Sequence, residues 1–89
     1  MRDPKNKIRL YRKALKKWGP DGHIVKTIEE LCELVIALLG TDRQKIYEEM
    51  ADVEIMLEQL EVNFGCRDMV KLKKLTKLER LKGWLNETG

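Results

Sequence analysis

The chain has 89 residues, of which 43% are hydrophobic and 37% charged, and its formal net charge is +3. This composition excludes a disordered polymer, and the longest apolar run, residues 34–39, is too short to cross a bilayer. The length predicts one domain, residues 1–89, that can fold alone but has little core to spare. The first residues lack the apolar segment of a secretion signal, and Cys32 and Cys66 stand apart, so we expect a cytoplasmic protein with reduced thiols.

Four helices are predicted in chain order. Apolar residues spaced three and four apart indicate a first helix over about residues 6–18, and the glycines and proline at 19–22 predict a break. A second helix is expected over 23–39, a third over about 42–63 and a fourth over about 68–85, because Gly40, Phe64 and Gly65 mark the stops between them. No alternating run is long enough for a strand, so the sequence predicts an all-α, four-helix, bundle-like fold.

Charge is strongly segregated along the chain. Eight basic residues and one acid precede Trp18, and seven basic residues and three acids lie from Arg67 onward. The middle, residues 27–62, contains ten acids but only Arg43 and Lys45 as bases. Acidic centre and basic ends indicate either two separate roles or one site that needs both signs of charge.

Two acidic pairs share the same spacing, Glu30 with Glu33 and Glu49 with Asp52. Residues three apart on a helix lie on one face, where like charges repel unless a cation neutralises them. Four carboxylates from two neighbouring helices would give an oxygen-rich site suited to Mg²⁺. A site of that kind serves the chemistry of phosphates.

The third predicted helix singles out Glu49. At about 100° per residue, Glu49 falls inside the apolar stripe of this helix and Asp52 falls at its edge. The stripe consists of Ile46, Met50, Val53, Met56, Leu57, Leu60 and Phe64. The other acids of this helix, Glu54, Glu58 and Glu61, are predicted to face solvent. An acid that projects toward a core is costly unless it is paired or binds a metal, so Glu49 is the strongest candidate ligand.

The surfaces of the second and fourth predicted helices indicate contacts with a second copy of the chain and with a substrate. The apolar arc of the second helix covers more than half of its circumference, which one short chain can hardly bury, so we expect a homo-oligomer. In the fourth helix, Lys73, Lys77 and Arg80 share one stripe. This stripe is either a solvated basic face or a contact for the phosphate tail of a substrate.

Together, the segments Glu29-Glu30-Leu31-Cys32-Glu33 and Glu49-Met50-Ala51-Asp52 form an E-E-x-x-E and an E-x-x-D motif, fifteen residues apart. With the Lys-x-x-Arg stretch from Lys77 to Arg80, they resemble the MazG-like branch of the all-α nucleoside triphosphate pyrophosphatases over roughly residues 18–85. The resemblance implies hydrolysis of a nucleoside triphosphate to the monophosphate and pyrophosphate, in a homodimer or homotetramer. It implies Mg²⁺ as cofactor, with Mn²⁺ as a substitute. By the resemblance, the magnesium ligands are Glu30, Glu33, Glu49 and Asp52.

Other roles follow less directly from the resemblance. Glu29 either orients or activates the attacking water or faces solvent, and Lys77 and Arg80 would bind the substrate phosphates. His23 stands where relatives often carry glutamine, near the entrance of the site, although it is also readily explained as a surface or loop histidine. The base and sugar preferences stay open.

Two further classes of protein stay open. A nucleic-acid-binding module would use the basic first and fourth helices on phosphate backbones, but it leaves the inward direction of Glu49 unexplained. A structural or adaptor oligomer would explain the excess of apolar residues but not the acid spacing. We expect a nucleotide substrate and neither a nucleic acid nor a membrane partner.

Overall fold

A computed structural model describes residues 4–86, which form three helices and no strand. They are α1 (Pro4–Leu39), α2 (Arg43–Phe64) and α3 (Arg67–Asn86). The all-α prediction is confirmed, whereas the four-helix prediction is not. Within the described residues, no helix is both long and apolar enough to span a bilayer.

The break predicted at residues 19–22 is a kink at one residue. Gly19 has φ 77° and ψ 167°, a combination that is practically restricted to glycine, while the residues on both sides are helical. Pro20 follows directly, where its missing N–H is tolerated because it begins the second half of the helix. The two predicted helices are therefore one bent helix, α1, with a short first half and a longer second half.

Both ends of α2 are fixed by local chemistry. At the start, the Asp42 carboxylate accepts hydrogen bonds from the backbone N–H groups of Gln44 and Lys45 at 3.0 and 3.2 Å. At the other end, Gly65 adopts the left-handed conformation with φ 63°, and the N–H of Cys66 reaches the carbonyl of Glu61 at 3.0 Å. These caps confirm the predicted boundaries of the third sequence helix to within a residue or two.

The second half of α1 and α2 form an antiparallel hairpin across the short connection at residues 40–42. The first half of α1 bends back over the later part of α2, where the Tyr11 hydroxyl donates to Glu58 and Lys7 contacts the same carboxylate at 3.2 Å. The prediction that Glu58 faces solvent is wrong, because this carboxylate is half-buried between the helices. The kink at Gly19 makes this contact by bringing the first half of α1 across α2.

The core of the single chain is small. Among the described residues, only Tyr11, Ala37, Val53 and Met56 are buried apolar or aromatic side chains, and none is completely enclosed. The predicted stripe of α2 is only partly correct, since Met50, Leu57 and Phe64 remain exposed. No Cα atom of α3 lies within 8 Å of a Cα atom of α1, so α3 extends from the hairpin with most of its surface open.

Candidate metal centre

Three carboxylates meet between α1 and α2. Each of Glu30, Glu49 and Asp52 offers an oxygen, and these oxygens lie within 4.8 Å of one another. We call these three residues the acidic cluster. Glu49 and Asp52 are one turn apart on α2, and the antiparallel hairpin brings Glu30 of α1 opposite them. The cluster therefore joins one acid of the first motif to both acids of the second.

Glu49 is the buried member of this cluster, and one of its oxygens has no hydrogen-bond partner. Only 4% of the residue is exposed, in agreement with its predicted direction toward the core. Its Oε2 contacts the Lys45 ammonium at 3.0 Å, but its buried Oε1 has no hydrogen-bond partner. A buried acceptor without a partner costs about 1–3 kcal/mol, so folding alone does not favour this side chain at this position.

The donor set fits a hard divalent cation. Carboxylate oxygens are the protein ligands that Mg²⁺ prefers, and Glu49 Oε1 supplies one that no protein group satisfies. Glu30 is half-buried and Asp52 is exposed, so the cluster opens to solvent on one side. Mg²⁺ usually keeps several waters and takes one or two carboxylates plus substrate oxygens, which suits three acids at an open edge.

The structure does not bring every predicted ligand into the cluster. Glu33 lies outside the acidic cluster and is exposed. Glu29 is exposed as well and pairs with Lys26 at 3.6 Å. Hence the first motif contributes Glu30 to the cluster, while its two other acids remain beside it.

The predicted phosphate-binding residues lie apart from the acidic cluster. Lys77 and Arg80 are exposed on α3, whose backbone does not approach α1. Within one chain, the basic stripe and the cluster are therefore separate surfaces.

Two lysines next to the acids were missed as site residues. Lys45 contacts Glu49 at 3.0 Å, and Lys26 contacts Glu30 at 3.6 Å. The hydrogen bond to Glu49 is the main cause that raises the pKa of Lys45. A signal was present in the sequence, because each lysine precedes its acid by four residues and therefore shares its helix face.

A groove of about 430 Å³ near the kink is lined by residues that include Trp18, Glu29 and Lys26, and Lys26 also contacts Glu30 of the cluster. His23 lines the groove too, but this residue is buried, unlike a surface or loop histidine. Its Nδ1 is hydrogen-bonded to the Asn63 amide, and burial lowers the pKa of its imidazole. Sequence reasoning missed Asn63, since nothing local pairs residues forty positions apart.

Comparison with known proteins finds no matching family model, no matching curated protein and no matching solved structure. The resemblance to the MazG-like enzymes therefore remains a prediction from motifs.

Proposed function

We propose that this chain is a Mg²⁺-dependent nucleoside triphosphate pyrophosphohydrolase that releases the nucleoside monophosphate and pyrophosphate. The observation that carries the proposal is the buried carboxylate of Glu49, which lies in a cluster with Glu30 and Asp52 and whose Oε1 has no hydrogen-bond partner. Nearly all buried polar atoms in native proteins have a partner, and a bound cation would supply one for this carboxylate oxygen.

In this reaction the acidic residues would bind the metal and activate the attacking water. Glu30, Glu49 and Asp52 would hold Mg²⁺, and exposed Glu33 could join them by rotating its side chain. When bound, Mg²⁺ would neutralise phosphate charge and lower the pKa of a coordinated water. Glu29, exposed at the edge of the groove near the kink, would accept a proton from the attacking water or orient it.

The basic residues of α3 would complete the site from a second copy of the chain. Lys77 and Arg80 are exposed and carry the charge that a leaving pyrophosphate requires, but within one chain they lie on a helix that does not approach α1. Supplied by the α3 of a partner, they would face the acidic middle of the hairpin. Opposite charges on the two surfaces favour that arrangement.

The exposed surface supports a homo-oligomer. The chain exposes 7445 Å², whereas a compact monomer of this mass exposes about 5,400 Å². Its radius of gyration is 16.0 Å, against about 12 Å for a compact chain of this length. Covering an excess of about 2,000 Å² on each of two copies would bury about 4,000 Å² in total, which is within the range of obligate homodimer interfaces. The apolar residues of the second half of α1 that would be covered include Ile28, Val35, Ile36 and Leu39.

The function is tested with a panel of canonical and modified nucleoside triphosphates in Mg²⁺, scored for monophosphate and pyrophosphate. We expect those two products and a loss of at least about 90% of turnover in Glu49→Gln, because a ligand of the metal supplies several kcal/mol of the barrier reduction. Orthophosphate with a diphosphate would indicate a different cleavage position. Light scattering of the purified chain tests the oligomer, and a monomer at micromolar concentration would exclude it.

The two alternative classes of protein, a nucleic-acid-binding module and a structural oligomer, predict different results for the same purified protein. A nucleic-acid-binding module would bind DNA or RNA without metal, in a salt-sensitive manner, through the exposed basic face of α3. A structural oligomer would unfold at the same temperature with and without Mg²⁺, since an ion that binds the folded state raises that temperature.

A further inference from the structure

The two helices of the hairpin carry the same charge pattern around the acidic cluster. In α1, Lys26 precedes Glu30 by four residues and Glu33 by seven; in α2, Lys45 precedes Glu49 by four and Asp52 by seven. In each helix, the lysine contacts the first acid of its pair: Lys26 contacts Glu30 at 3.6 Å in α1, and Lys45 contacts Glu49 at 3.0 Å in α2. The cluster therefore has an ammonium group of the protein on each of its two helices.

Helix stability does not explain the positions of these two lysines. A lysine four residues before a glutamate is the weaker of the two orders for a helical ion pair. Lys45 also lies in the first turn of α2, where the positive end of the helix dipole disfavours a cation. The side chains of Lys45 and Lys26 are 52% and 58% exposed, whereas those of Glu49 and Glu30 are only 6% and 16% exposed; Lys26 also contacts exposed Glu29 at 3.6 Å.

We propose that Lys45 and Lys26 are built-in counter-cations of the acidic cluster, which a divalent cation displaces from Glu49 and Glu30 when it binds. The inference rests on the metal site of the proposed function, but not on the reaction or the substrate. The exposed ammonium groups can withdraw into water on their flexible stems, whereas the buried Glu49 carboxylate cannot move out to meet a partner. Cation exchange keeps this carboxylate neutralised in both states.

The exchange makes a distinct energetic prediction. A lysine that occupies the site competes with the metal, and after displacement its charge still repels the bound ion. Removing that ammonium should therefore tighten metal binding while it destabilises the metal-free protein. A lysine that merely stabilised α2 would change the stability of both states equally and leave the metal affinity unchanged.

The test measures Mn²⁺ affinity directly, by electron paramagnetic resonance of free Mn²⁺ in MnCl₂ titrations without nucleotide. Lys45→Met should bind Mn²⁺ about three- to ten-fold more tightly than the wild type, as expected for one charge near a divalent ion. Lys45→Arg, which keeps the charge, should stay within about two-fold of the wild type. Lys16→Met removes the same charge at an exposed position in the first half of α1, which contributes no residue to the cluster, and serves as the matched control, with no change expected.

Lys26→Met gives a second readout on the other helix, and it applies even if Lys45→Met fails to fold. Its effect should have the same sign but be smaller, since its contact with the acid is longer. Unchanged or weaker Mn²⁺ binding in both methionine variants would overturn the proposal while leaving the metal site intact. A wild-type protein that binds no Mn²⁺ would overturn the metal site of the proposed function together with this inference.

Discussion

Replacing Glu49 by glutamine is expected to stabilise the protein in the absence of metal and to remove its stabilisation by Mg²⁺. In the wild type, folding leaves Glu49 Oε1 buried without a partner, next to two other carboxylates. The neutral amide removes this charge and can donate a hydrogen bond to Glu30 or Asp52, a gain of about 1–3 kcal/mol. The substitution also loses the ion pair with Lys45, but the exposed ammonium remains solvated without its partner, so this loss is the smaller of the two effects.

The net gain of about 1 kcal/mol should raise the unfolding temperature in EDTA by about 4–8 °C, as is typical for a chain of this length. Magnesium should reverse the order. At a Mg²⁺ concentration about 100 times its dissociation constant, the wild type gains about 2.7 kcal/mol and the variant gains much less. The two melting temperatures should therefore cross as Mg²⁺ is titrated, at equal protein concentration.

Glu48→Gln provides the matched control, because Glu48 is the adjacent residue of α2, is exposed and undergoes the same chemical change. Its melting temperature should follow that of the wild type at every Mg²⁺ concentration. The reasoning would be refuted if Glu49→Gln melted below the wild type in EDTA and still gained the full stabilisation from Mg²⁺. Glu49 would then be a structural acid whose pairing with Lys45 outweighs its burial.

Two other features of the fold give predictions of their own. Gly19→Ala should lower the free energy of unfolding by about 1–3 kcal/mol, because the backbone there has φ 77° and ψ 167°. Gly83→Ala, inside exposed α3, should instead raise it by about 0.5–1 kcal/mol. Urea denaturation measures both free energies, and equal effects would contradict a role for the kink. The hydrogen bond from Tyr11 lowers the pKa of Glu58 below 4.5. The contribution of this bond to the stability of the fold is therefore present above pH 4.5 and is lost as the pH falls through the lowered pKa. Burial and the same bond raise the pKa of Tyr11 from 10.0 to about 12, so the stabilisation is also lost as pH rises across that interval. The difference in melting temperature between wild type and Tyr11→Phe should thus be constant from about pH 5 to 9 and shrink on both sides, and a difference independent of pH would refute the pairing.

Much of the local structure follows from residues close together in the sequence. The helix ends at Asp42 and Gly65 depend on groups within four residues of each cap, so they can be predicted from the sequence alone. The inward direction of Glu49 is likewise local, because the helix period fixes its angle relative to Val53 and Met56. The same argument failed for Met50 and Phe64, since facing the core side of a helix is not enough when no neighbouring element covers that position.

The sequence by itself determined the helices, their caps and the side of α2 on which an acid would be buried, because these properties repeat with the period of one helix. Only the tertiary structure decided that Glu30 meets Glu49 while Glu33 does not, and that Glu58 lies beneath Tyr11. The angle of a residue around its own helix says nothing about how far a second helix slides along the first. That offset is set by the length of the connection, the kink at Gly19 and the packing of side chains distant in the sequence.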